Sequence, residues 1–370
     1  MKYYIIAGEA SGDLHGANLM KAIVQLDAGA EFRFWGGDQM AQIADGLVRH
    51  YREIAYMGFI EVIRHLPTIL KSLTACKEDI LEFRPDALVL IDYPGFNLRI
   101  AKWARSQDLN VQYYISPQVW AWKAHRAEII CRAANQLYVI LPFEKGFYAD
   151  RGLEVEYVGH PLLDAIANYE PASDFRSRNG IPETKKLVAV LPGSRKQEVN
   201  ILLPTMMSLA RRHPRHHFVV AGVSTLPKTI YQNHLAELKN VFLIFDQTYD
   251  LLSEADSAVV TSGTATLETA LFKVPQVVCY RGGVLNYLIA RRIVNIEYIS
   301  LVNLIAEKPV VKELVQHDFT PDKLHEAFLE IQDADHRNKI MQDYHSLITT
   351  LGNAGASERT AEFIFNSLCL

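Results

Sequence analysis

Short apolar runs alternate with helical patterns along the whole chain, and no other feature constrains its fold as tightly. In the first half, strand-like runs fall at Tyr3–Ala7, Phe32–Gly36, Ala87–Asp92, Val111–Ile115, Leu137–Ile140 and Glu156–Val158. In the second they fall at Leu187–Leu191, Phe218–Ala221, Val241–Phe245, Ser257–Thr261 and Gln276–Tyr280. The runs are rich in β-branched and aromatic residues and do not alternate with polar ones. Strands covered on both faces of a parallel sheet have this composition. Helical segments separate them, such as Val199–Arg211, apolar at Val199, Leu202, Leu203, Met206 and Leu209. Two successive βαβ series predict an α/β chain of two Rossmann-like, doubly wound parallel-sheet domains. The expected division is 1–168, a polar linker over 169–186 carrying Pro171 and Pro182, a second domain over 187–352, and a C-terminal helix over 353–370. That amphipathic helix is expected to pack on an N-terminal domain, either its own or that of a second copy in a homodimer.

The bulk properties exclude several classes. A net charge of −4 offers no basic footprint for nucleic acid. The four cysteines (Cys76, Cys131, Cys279 and Cys369) are scattered, with no CxxC pair. This pattern predicts a reduced, cytoplasmic protein without a disulfide framework or zinc site. The first strand begins too early for a signal peptide. No apolar run approaches the roughly 18 residues of a spanning helix, so membrane contact is expected to be peripheral.

In open parallel sheets, ligands bind beyond the carboxyl ends of the strands. The residues that follow each strand are therefore the candidates, and the site is expected in a cleft between the two domains. After the first strand comes AGEASGDLHG, residues 7–16, with Glu9, Asp13 and His15 as candidate catalytic or acceptor-binding groups. The plainer reading is a βα turn in which Ser11 or Asp13 caps the helix. Asp92 ends the run Ala87–Ile91, where burial can raise a carboxyl pKa into the range of a general base; it also reads as a capping residue before a Pro turn. Trp120 and Trp122 follow the fourth strand and suit either a sugar or lipid contact or packing.

The second half has sharper signals. Leu187–Leu191 runs into Pro192-Gly193-Ser194-Arg195 and then a helix. A Gly-Ser turn at a helix N-terminus presents free amides to an anion, and Arg195 adds a bidentate fork. After Ser257–Thr261 comes Ser262-Gly263-Thr264, a second strand-to-helix turn suited to phosphate. Glu268, one helical turn further on, suits a ribose diol or is a solvated helix residue. Neither half carries G-x-G-x-x-G after a strand, which argues against a dinucleotide oxidoreductase.

Nine stretches, in order along the chain, carry a closer likeness: AGEASGD (7–13), IDYPGFN (91–97), SPQVWAW (116–122), LPFEKGFY (141–148), VGHPLLD (158–164), LPGSR (191–195), SGTATLE (262–268), VCYR (278–281) and VNL…VKEL (302–314). Together they resemble the lipid-A-disaccharide synthase family of GT-B glycosyltransferases. The resemblance implies transfer of 2,3-diacylglucosamine from its UDP derivative to the 6-hydroxyl of 2,3-diacylglucosamine 1-phosphate (lipid X), with inversion. It implies Asp92 as base, with Glu9, Asp13 and His15 in the same cleft. It implies UDP held by Ser194, Arg195, Ser262, Gly263, Thr264 and Glu268, with Arg281, Asn303 and Glu313 near the nucleotide. No metal or other cofactor is expected. The diacylated substrates imply an apolar contact on the inner membrane surface, for which Ile60 and Ile63 in MGFIEVIRHLPTILKSL (57–73) are the candidates. Sugar-nucleotide 2-epimerases and the transferase that builds lipid II are the nearest enzyme rivals, and AGEASGD and SPQVWAW argue against both. From another class, the rival is a non-catalytic lipid- or nucleotide-binding protein that kept this fold.

Overall fold

The structure, a computed structural model, describes residues 1–53, 66–122, 127–235, 238–282 and 297–369. They form two compact units, Met1–Asp164 with Asn353–Leu370, and Ala165–Gly352.

Unit 1 holds seven strands: β1 (Lys2–Ala7), β2 (Glu31–Gly36), β3 (Leu47–His50), β4 (Ala87–Ile91), β5 (Val111–Tyr114), β6 (Gln136–Val139) and β7 (Glu156–Tyr157). All pair in parallel, in the order β3-β2-β1-β4-β5-β6-β7. The non-alternating strand sequences have a direct cause. Tyr4, Ile6, Leu88 and Leu90 face one apolar layer, while Tyr3, Ile5, Val89 and Ile91 face the other. Both faces are covered, so successive side chains are all apolar.

Unit 2 holds β8 (Lys186–Leu191), β9 (His216–Gly222), β10 (Val241–Phe245), β11 (Ser257–Thr261), β12 (Gln276–Tyr280) and β13 (Lys312–Val315). Its parallel order is β10-β9-β8-β11-β12-β13. The strand order reverses between the neighbours β1 and β4 in one sheet and β8 and β11 in the other, the switch points at which ligands bind in such sheets.

Three differences from the sequence reading stand out. β3 and β13 are short edge strands whose mixed burial removes the apolar run that marks a buried strand. The segment expected as a linker is part of unit 2: Tyr169 donates to Asp250, the Ala172 amide donates to the same carboxylate at 2.8 Å, and Phe175 is buried in the unit 2 core. An apolar anchor and a shared carboxylate outweigh the polar composition of 169–186. The division itself falls at Asp164, inside the helix Pro161–Ala167.

The C-terminal helix, Ala356–Leu368, packs in unit 1 of its own chain. Its Ala361 and Ile364 share an apolar layer with Ala17, Met20 and Ile23 of the helix Ala10–Leu26. Among the described residues, no helix is long and apolar enough to cross a membrane.

Candidate active site

Asp92 is the first residue beyond β4. Its amide donates to the Tyr114 carbonyl at 3.0 Å. Its own carbonyl accepts from Tyr113 Oη at 2.7 Å and from Asn97 Nδ2 at 2.9 Å. These bonds hold two successive non-glycine residues, Asp92 and Tyr93, in the left-handed region at φ +44° and +47°. Such strain persists only where the surroundings over-determine it, and it clusters at active sites. The Tyr93 ring occupies the space over Gly8, where a Cβ would approach within 2.3 Å, so that position admits no side chain.

Burial, and after it the negative charge of Glu9, push the Asp92 carboxyl up to about 6 against an opposing hydrogen bond from the Tyr93 amide. The structure thus brings Glu9 and Asp92 into one electrostatic site. Asp13 has another duty. It is 3% exposed, and its carboxylate accepts from the amides of Gly37 (2.7 Å), Gln39 (3.0 Å) and Met40 (3.1 Å). Both of its oxygens fix the loop after β2, which makes it a positioning residue rather than a base. His15 lies with His160 and Asp164 instead of Asp92. Burial pushes His15 down to about 4 and His160 to about 3, with His15 adding to the effect on His160.

Sequence reasoning missed Glu144. It accepts from the amides of Ile140 (3.1 Å) and Leu141 (3.0 Å) and from Trp120 Nε1 (3.2 Å). Burial pushes it up to about 7 against these hydrogen bonds, with the charge of Asp92 contributing. Pro142 followed by Glu144 marks a helix start in the sequence, but nothing local reveals the contact with Trp120. Trp120 is therefore an oriented, partly buried ring. Ile60, Ile63 and the Trp122 side chain lie outside the described residues.

In unit 2, Gly193 turns the chain at φ +103°, and Arg195 caps the helix Lys196–Arg212. Its guanidinium pairs with Glu198 at 3.0 Å and is largely exposed, while Ser194 precedes it in the same turn. Ser262, Gly263 and Thr264 form the turn beyond β11, and Ser262 Oγ donates to the Ile299 carbonyl at 2.8 Å. Glu313 supports that neighbourhood. It accepts from the Ile299 and Ser300 amides, Ser300 Oγ and Asn303 Nδ2, all within 3.0 Å. Asn303 is buried, and its Oδ1 accepts from the Val310 and Val311 amides at 2.9 Å. Arg281 donates to the carbonyls of Gln316 and Phe319. Glu313 and Asn303 brace the segment Ile299–Asn303 beside that turn, and Arg281 braces the segment after β13, each through bonds to the protein.

Glu268 accepts from Tyr249 Oη at 3.3 Å, and burial raises its pKa. Tyr249 also lines a cavity of about 270 Å³ with Tyr169, Asp246, Gln247, Thr248 and Asp250. The sequence reading passed over this cavity because Asp246–Asp250 carries no glycine turn.

The family model described as Lipid-A-disaccharide synthetase matches residues 3–365. The chain belongs to this family. A lipid-A-disaccharide synthase of Syntrophus aciditrophicus is 40% identical over 364 residues, covering 96% of this chain and 95% of its own. That of Geobacter metallireducens is 36% identical over 370 residues, covering 98% and 96%. Among solved structures, the UDP-GlcNAc 2-epimerase of Neisseria meningitidis, bound to UDP-GlcNAc, superposes with a TM-score of 0.70 at 14% identity, covering 99% of this chain and 100% of its own. A Staphylococcus aureus MnaA–UDP structure gives 0.71 at 15%, covering 100% and 97%. At those identities the superpositions show the GT-B fold and not the reaction. Family membership makes the chain a glycosyltransferase of lipid A biosynthesis.

Proposed function

We propose that this member of the lipid-A-disaccharide synthetase family transfers 2,3-diacylglucosamine from UDP-2,3-diacylglucosamine to the 6-hydroxyl of 2,3-diacylglucosamine 1-phosphate. The products are the β-1,6-linked disaccharide 1-phosphate and UDP. The family match across nearly the whole chain carries this reading, and Asp92 supplies its chemistry. An α-linked donor and a β-linked product require inversion by direct displacement. One carboxylate must take the acceptor proton as the glycosidic bond forms, while the C–O bond to UDP breaks and the diphosphate leaves with that electron pair. Asp92 is the base: it is strained, partly buried and raised in pKa. Glu9 keeps it basic, and Trp120, held by Glu144, borders the acceptor.

The nucleotide belongs to unit 2. The Ser194 and Arg195 turn and the Ser262, Gly263 and Thr264 turn receive the diphosphate, with Arg195 offsetting the charge that grows on it. Glu268 accepts from the ribose diol, and the adjoining cavity beside Tyr249 takes the base. Acylated substrates place the protein peripherally on the cytoplasmic face of the inner membrane, with Ile60 and Ile63 in the apolar contact.

The deciding assay incubates purified protein with both substrates in detergent and EDTA and follows the disaccharide 1-phosphate by mass spectrometry. Product formation supports the reading. A folded protein that binds UDP and yields no product, with EDTA or with added magnesium, overturns the substrate assignment. In the same preparations, Ile60→Glu with Ile63→Glu is expected to reduce sedimentation with anionic phospholipid vesicles at unchanged melting temperature. Unchanged sedimentation moves the contact elsewhere.

A further inference from the structure

Asn97 lies in the first turn of the helix Pro94–Arg105 and is fully buried. Its Nδ2 points back at the chain that leads into the helix. It donates to the carbonyls of Asp92 at 2.9 Å, Ile91 at 3.1 Å and, at a long 3.4 Å, Ile6. Ile91 ends β4, and Ile6 is the last residue but one of the adjacent β1. One side-chain amide therefore joins the ends of two neighbouring strands to the backbone of Asp92. The orientation of that amide follows from the contacts, because the reverse would set an oxygen against three carbonyl oxygens. The Asn97 backbone amide closes the same turn by donating to the Tyr93 carbonyl at 3.0 Å.

The other half of the side-chain amide is unpaired. Asn97 Oδ1 is buried and has no hydrogen-bond partner among the described residues. Burial removes the bonds it made to water, so this acceptor opposes folding. The left-handed backbone of Asp92 and Tyr93, at φ +44° and +47°, opposes it at the same turn. A turn that only joins a strand to a helix needs neither feature.

Both features converge on the placing of one carboxyl group. The Asp92 carbonyl is gripped by Asn97 Nδ2 and, at 2.7 Å, by Tyr113 Oη. The Asp92 amide is fixed on the Tyr114 carbonyl. The titratable groups that face Asp92 are Glu9 beyond β1, Tyr113 on β5 and Glu144 in the helix Pro142–Ala149. None of these carries a positive charge, so the affinity of Asp92 for a proton depends on its staying in that buried setting. We propose that Asn97 is a positioning residue for the base: it holds the left-handed backbone at Asp92 and so fixes where the carboxylate meets the acceptor hydroxyl. Asn97 is fully buried and acts only through Asp92. The inference rests on the reading of Asp92 as base given above.

Two variants test it. Asn97→Leu removes the donor and keeps a branched side chain. Tyr113→Phe removes the other donor to the same carbonyl and keeps the ring. Each is measured for melting temperature, UDP affinity by calorimetry, kcat and KM with both substrates, and the titration of the Asp92 carboxyl by carbon NMR. The Asp92 resonance is identified by its loss in Asp92→Asn. Without its anchor the Asp92 backbone relaxes and the carboxyl gains water, which moves its midpoint from about 6 toward the ordinary 3.8. Each variant is expected to show that shift and a fall in kcat of about 10–100-fold, the usual effect of a displaced reacting group. KM and UDP affinity should stay close to wild type. A residue that only stabilised the fold would lower the melting temperature and leave the midpoint of the folded protein in place. A midpoint near 6 in both variants, whatever their melting temperatures, overturns the proposal. If the wild type makes no product, the assignment of Asp92 as base falls; the titration needs no substrate and still decides whether Asn97 positions that carboxyl.

Discussion

At the scale of single residues, Asp92 joins a structural cost to a chemical use. Its carboxyl sits at about 6 because burial and Glu9 both disfavour the charge. A base with that value is ionised near neutrality yet still takes up a proton readily. Asp92→Asn is expected to lower kcat by about 10²–10⁴-fold, the usual contribution of a positioned base, with UDP affinity unchanged. Near-normal turnover would move the base elsewhere. The acid limb of kcat/KM should have its midpoint near 6, a property of the coupled pair, and Glu9→Gln should shift it downward. Stability changes with the opposite benefit. Below the ordinary carboxylate value of 3.8, folded and unfolded chains are both neutral at this group; from there to about 6 only the unfolded chain is ionised, so stability is lost as pH rises. Asp92→Asn should therefore melt higher than wild type at pH 7.5, by on the order of 1–3 kcal/mol, and the gap should close below pH 4. A wild-type melt that exceeds the variant's at pH 7.5 would contradict the raised pKa. The candidacy of Asp92 was legible because an acid ending a buried run is unusual. The role of Glu144 was not, since it depends on Trp120 and Asp92, which are distant in sequence.

At the scale of elements, a carboxylate nearly two hundred positions upstream in the chain starts the C-terminal helix. Asp164 accepts from the amides of Gly355 (2.6 Å), Ala356 (3.1 Å) and Ser357 (3.0 Å), the groups a helix start leaves unpaired. Arg359 returns the contact by donating to the Val158 carbonyl at 2.8 Å. The amphipathic pattern made the helix legible within 353–370, and the structure bounds it at Ala356 and Leu368. VGHPLLD identified a family but not a clamp, because the amides it serves lie beyond the whole of unit 2. Asp164→Ala leaves three amides beside a buried gap and is expected to cost unit 1 about 2–4 kcal/mol. Hydrogen exchange should rise over 356–368 while the amides of β8–β13 keep wild-type protection. Equal protection over 356–368 would show that apolar packing alone holds the helix. The strands divide in the same way: doubly covered runs announced themselves, and the edge strands β3 and β13 did not.

At the scale of the whole molecule, the sequence legibly encodes two parallel sheets because each strand must be apolar on both sides. It does not encode the chemistry at that scale, since epimerases at 14% identity share the architecture. Function is recorded in the residues beyond the strand ends, and the two units differ there. Unit 1 brings two raised carboxyls, Asp92 and Glu144, into electrostatic contact, and unit 2 presents glycine turns after β8 and β11 and the cavity beside Tyr249, next to the raised Glu268. If the nucleotide belongs to unit 2, UDP must stabilise that unit by mass action. At a hundred times its Kd, UDP adds about 2.7 kcal/mol to the state that binds it. For a unit of this size that raises its melting transition by roughly 5–10 °C. Calorimetry with and without UDP, read beside hydrogen exchange to assign each transition, is expected to show the rise in the transition that melts β8–β13. Arg195→Ala should shrink it, because the guanidinium is exposed and pairs with Glu198 at the start of the helix that follows the turn. A rise confined instead to the transition that melts β1–β7 would place the nucleotide in unit 1 and reverse the assignment of donor and acceptor.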